Sequence, residues 1–97
     1  MNIQEVCRKI YEIALPVCQK SEAPIAYISV ILSRDFPFAP NVLYEEFNRV
    51  KWNTPLSSSE LDISQSQTDA FSRVVSVTEF EDENGEAKSH ETPESIF

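Results

Sequence analysis

Residues 24–32 are PIAYISVIL, and the conformation of this run decides between two folds. Its β-branched and aromatic content favours a buried strand from Ile25 to Leu32. The preceding SEAP could also open a helix, with Ile25, Ile28, Ile31 and Leu32 turned inward. The strand gives an α+β domain in which two or three helices pack on a small antiparallel sheet. The helix gives a winged-helix-like arrangement, with 24–35 and 41–52 as the helix pair. The β-rich composition favours the strand, and one small domain over residues 1–97.

Around this run the periodicity changes. Upstream, Ile3, Val6, Cys7, Ile10, Tyr11, Ala14, Val17 and Cys18 recur at the spacing of an amphipathic helix. Asn2 and Glu5 stand at capping-box spacing before it. Pro16 predicts a kink, or an end near Leu15. Downstream, Pro37 and Pro40 make 33–40 a turn-rich connection. Asn41 is then placed to cap a second helix, NVLYEEFNRVKWN, burying Leu43, Phe47 and Val50.

Beyond Leu56 the composition shifts to Ser and Gln. LSSSELDISQSQTDA fits a short helix, an ordered loop or, over 57–70, a flexible linker. FSRVVSVTEFE predicts a strand, with Val75 and Val77 on one face and Val74, Ser76, Thr78 and Phe80 on the other. Asn84-Gly85 is a strong hairpin signal. It leads to a polar, solvent-facing return strand, EAKSHET, and a loose end over 92–97. Ser95-Ile96-Phe97 has the Ser-x-apolar form of peptides that PDZ domains capture.

The formal charge of −8 is unevenly distributed. Residues 1–56 hold six acids and six bases, whereas 57–97 hold ten acids against Arg73 and Lys88. Such a field repels nucleic acid and anionic membranes and attracts basic surfaces. No apolar run approaches the ~20 residues of a membrane span. The N-terminal residues carry acids from Glu5 onward and show no cleavage signal, so an intracellular, cytoplasmic location is expected.

Little here points to catalysis. His90 is the only histidine, stands in a polar stretch and has the pattern of a solvated imidazole; no nucleophile motif accompanies it. The single glycine excludes a glycine-rich phosphate loop. Cys7 and Cys18, on one helix, would lie about 16 Å apart, too far for a disulfide. Both fit buried reduced thiols. Neither enzymatic activity, a metal nor a cofactor is expected.

The candidate working surface is acidic. On a strand through 73–82, Glu79, Glu81 and Glu83 would project from one side about 6.7 Å apart. Asp82 would take the other side, Glu86 and Glu91 would extend the display, and Glu60, Asp62, Asp69, Glu45 and Glu46 would add charge. In size, acidity and concentrated charge the chain resembles the small DNA-mimic inhibitors of phages and mobile elements, the anti-CRISPR proteins among them. The resemblance implies a non-enzymatic inhibitor in a bacterial host, covering the DNA-binding site of a basic complex such as a CRISPR surveillance complex. An antitoxin or immunity protein that neutralises a basic toxin enzyme by direct binding is the alternative.

Overall fold

A computed structural model of the protein describes residues 2–96. Ile25–Leu32 is a strand, β1, so the fold is α+β and the winged-helix arrangement is excluded. With β2 (Glu60–Gln65), β3 (Arg73–Glu79) and β4 (Ser89–Ser95) it forms one sheet in the order β2-β1-β3-β4. The β1–β3 and β3–β4 pairs are antiparallel, but β1 and β2 are parallel, so the sheet is mixed. The helix α2 (Pro40–Val50) separates β1 from β2 and returns the chain to the starting end, as a parallel pair requires.

The helix α1 (Ile3–Lys20) continues past Pro16 to Lys20. Proline removes one backbone donor, but Pro16 is exposed, and the last turn is held by Val17 and Cys18 packed against the core. Asn2 caps α1 as its spacing predicts, its Oδ1 accepting from the Glu5 amide at 2.8 Å. In α2 the cap moves from Asn41 to Ala39, with Pro40 in the first turn. Proline suits that position because its fixed φ is helical and its missing N–H would have had no partner.

The Ser- and Gln-rich segment is neither linker nor helix: it supplies β2. Leu56 is wholly buried, and Leu61 and Ile63 face the core. Ser59 is also fully buried and donates its hydroxyl to the Ile25 carbonyl at 2.7 Å. This hydroxyl ties the start of β2 to β1.

β3 stops at Glu79, short of 82, and β4 begins at Ser89 rather than Glu86. Between Val74 and Ser76 the register shifts, with Val75 the extra residue opposite β1. This bulge buries both Val74 and Val77, where strict alternation would have grouped Val75 with Val77. The Asn84-Gly85 turn lies within the connection 80–88. Gly85 has φ of 76°, and Asp82 Oδ1 accepts from the amides of Asn84 and Glu86 at 2.8 and 3.0 Å.

Residues 92–96 are not loose. β4 runs through Ser95, and Ile96 is fully buried with its amide donating to the Ser72 carbonyl at 3.0 Å. The third residue of the Ser-x-apolar terminus, Phe97, lies outside the described residues. Both helices pack on one side of the sheet, where Ile10, Ile28, Leu32, Leu43, Phe47 and Val77 form the centre of the core.

Ile96→Ala should therefore lower the unfolding free energy by about 2–5 kcal/mol, the range for truncating a buried isoleucine. Urea denaturation measures this; a loss below about 1 kcal/mol would mean that Ile96 is not a core residue.

Candidate binding surface

With the helices on one side, the other face of the sheet is open. β1 buries Ile28, Val30 and Leu32, so Tyr27, Ser29 and Ile31 point to the open face. The strand register extends this into rows across the sheet. Glu60, Tyr27, Thr78 and Ser89 form one, and Asp62, Ser29, Ser76 and Glu91 the next. A third row contains Ser64, Ile31, Arg73 and Ser95. The inner strands are thus lined largely by hydroxyls, and carboxylates stand on the outer ones. Three strand spacings place the β2 and β4 acids about 14 Å apart.

The structure divides the acidic residues picked out from the sequence. Glu60, Asp62 and Glu91 lie on the open face. Glu81, Asp82, Glu83 and Glu86 belong to the connection 80–88, which borders that face beside Thr78. Among the described residues, Glu60, Asp62, Glu81, Glu83, Glu86 and Glu91 have no salt bridge. Asp69 pairs with Arg73 at 3.2 Å and Glu46 with Arg49 at 2.9 Å. Glu45 and Glu46 are on α2, across the sheet from the open face.

Glu79 is a correction. It does not project in a row with Glu81 and Glu83, because β3 ends there and its side chain turns inward. Only 3% of the residue is exposed. Its Oε1 accepts from the Ala23 amide at 3.0 Å and its Oε2 meets His90 Nε2 at 2.6 Å. An ionised carboxylate can only accept, so Nε2 carries the proton. His90 is correspondingly not a free surface imidazole: it is half-buried and holds Glu79. This pair joins β3, β4 and the α1–β1 connection.

The hydrogen bond from His90 is the main reason the Glu79 carboxyl is held below the usual carboxylate range, and the Ala23 amide adds to it against the opposing effect of burial. Lys88, 2.9 Å from Glu22, is pushed the other way, chiefly by its hydrogen bond to that carboxylate. The histidine–carboxylate pair resembles half of a catalytic triad, but no hydroxyl or thiol among the described residues bonds His90.

The thiols are tied into the fold. Cys7 Sγ donates to the Leu43 carbonyl at 3.9 Å, and burial, with Glu46 nearby, pushes its pKa up to about 12. Cys18 Sγ lies 3.7 Å from the Pro55 carbonyl and is also shifted upward by burial. Both are free, and a protonated thiol is a poor nucleophile. Among the described residues, no group of three His, Cys, Asp or Glu side chains could hold a metal, and no helix is long and apolar enough to cross a membrane.

The charge reading passed over the exposed aromatics. Tyr27 and Phe80 are 51% and 45% exposed, and Trp52 80%. Alternation along PIAYISVIL was the available signal for Tyr27, because inward Ile28 and Val30 turn it outward. No family model, curated protein or solved structure matches the chain.

Because the Glu79 carboxyl is held low, its contribution to stability is complete above the ordinary glutamate pKa of about 4.3 and is lost as pH falls through the folded-state value. His90→Ala should reduce stability at neutral pH and flatten this acid-side loss. Urea unfolding between pH 7 and pH 3 measures both; an unchanged slope would mean that His90 does not hold the carboxylate.

Proposed function

We propose that the protein is a non-enzymatic inhibitor that offers a basic nucleic-acid-binding surface an acidic substitute for DNA. The observation carrying this reading is the set of carboxylates without salt bridges, Glu60, Asp62 and Glu91, on the uncovered sheet face. Glu60 and Asp62 follow one another along β2 about 6.7 Å apart. Across the hydroxyl-lined centre, Glu91 stands about 14 Å away, close to the ~12 Å width of the DNA major groove.

A basic groove has affinity for DNA chiefly through the charge density of the phosphates. Carboxylates fixed on a sheet present charge without first losing chain entropy, so a modest number can compete. The hydroxyls of Ser29, Ser76, Thr78 and Ser89 can donate or accept hydrogen bonds, which suits a polar, wet contact. The target class is a basic complex that handles nucleic acid, of which a CRISPR surveillance complex is one example. The acids at 81–86 enlarge the negative field that steers such a partner toward the face.

The test is capture from a lysate of the native host on immobilised protein, followed by elution with duplex DNA. Nucleic-acid-binding proteins should elute with the duplex, and Asp62→Asn/Glu91→Gln should weaken the interaction about tenfold at low salt. If captured proteins bind duplex DNA and the immobilised protein together without loss of affinity, the substitute-DNA reading fails.

A further inference from the structure

The geometry points to an arginine side chain of the partner protein as the occupant of the clefts on either side of Tyr27 and Phe80. This rests on the reading that the partner is a basic protein, and it names the group that this part of the surface takes. A cleft of about 320 Å³ lies between Tyr27, Thr78, Phe80 and Glu81. A second cleft, of about 220 Å³, shares Tyr27 and Phe80 and is bounded by Glu60 and Ser58. The two aromatic residues therefore stand between Glu81 on one side and Glu60 on the other.

The chemistry selects the occupant. Glu60 and Glu81 have no salt bridge, so a cation entering either cleft meets charge that the protein has not already neutralised. The nearby cation, Lys88, lines an adjoining cleft that shares Glu79 and Phe80, and it is already held by Glu22 at 2.9 Å. Aromatic faces attract cations through the ring quadrupole. Guanidinium suits this surface better than ammonium: it is planar, more weakly hydrated, stacks on rings and bonds carboxylates through two parallel N–H groups.

The walls are fixed before binding. Tyr27 stands on a strand paired on both sides, and the Phe80 amide donates to the Pro24 carbonyl at 2.9 Å. Beyond Ser58 a further cleft of about 430 Å³ runs beside Trp52. The clefts are thus contiguous through shared residues. They can follow the chain that delivers the arginine, which favours a protein-borne group over a free small cation.

The probes are N-acetyl-arginine amide, N-acetyl-lysine amide and N-acetyl-citrulline amide, titrated at constant ionic strength into the ¹⁵N-labelled full chain and followed by NMR. The arginine compound should give saturable shifts at the amides of Tyr27, Phe80 and Glu81. Its Kd should be at least about fivefold lower than that of the lysine compound, and uncharged citrulline should give no saturable shift. Phe80→Ala and Glu81→Gln should each weaken arginine binding about threefold or more. Both side chains are exposed, so each variant should keep the dispersed spectrum of the folded protein.

Equal affinity for arginine and lysine, or arginine shifts that survive Phe80→Ala, would overturn the assignment. So would the absence of any saturable shift up to about 0.1 M, well beyond the millimolar affinity expected of so small a ligand. The result is separable from the reading beneath it. Loss of arginine selectivity with DNA-displaceable capture intact rejects the cleft alone. Arginine binding without such capture rejects the substitute for DNA and leaves the cleft standing.

Discussion

Two helices cover one face of a four-stranded sheet and nothing among the described residues covers the other. This imbalance governs the sequence of every strand. β1 is central and paired on both edges, so its backbone is satisfied whatever its side chains do; the apolar load falls on Ile28, Val30 and Leu32, with Ile25 and Ala26 buried at its start. Its alternate positions must tolerate water, as antiparallel sheets with one solvated face generally require. The charges follow the same constraint. Like charges directly opposite one another on neighbouring strands are destabilising. Asp62 and Glu91 are separated by Ser29 and Ser76, so the face can be acidic without like charges directly opposite one another on paired strands.

What could be seen in the sequence was whatever is decided locally. β1 was legible from its β-branched content, and α1 from its 3-4-7 spacing behind Asn2. Pro16 does not end α1, because a proline on the exposed side of a helix sacrifices one bond while core contacts on the other side persist. β2 was hidden because only Leu61 and Ile63 stand out among polar residues. Its conformation depends on pairing with β1, and Ser59 anchors that pairing across 34 positions of chain. Ile96 was hidden for a similar reason, since a single terminal apolar residue carries no period.

The candidate acids were only partly legible because a formal charge count treats all carboxylates alike. Folding does not. Glu79 is removed from the surface altogether, since it has the parity of Val77 and must follow it inward. A buried carboxylate without donors would carry a severe desolvation cost; Ala23 and His90 supply one donor to each oxygen. Asp69 and Glu46 are offset by arginines three or four residues away, pairs visible on a helix or turn but easily lost in a total. The surface acidity that remains is smaller than the count and more localised, concentrated on the outer strands and the connection 80–88.

That localisation bears on the exposed aromatics. Tyr27 cannot turn inward without slipping β1 by one residue, which would turn Ile28 and Val30 to water. A protein with exposed Tyr, Phe and Trp side chains risks self-association through them. Here Glu60 and Glu81 flank the Tyr27–Phe80 pair, so a second copy approaching by the same face meets like charge, and only a cationic surface meets both aromatic area and favourable field. The Asp82 side-chain bonds and the Gly85 turn restrict the acidic connection as well, reducing the ordering that docking would otherwise require. The same residues therefore give the uncovered face both its exposed aromatic area and carboxylates that no salt bridge neutralises.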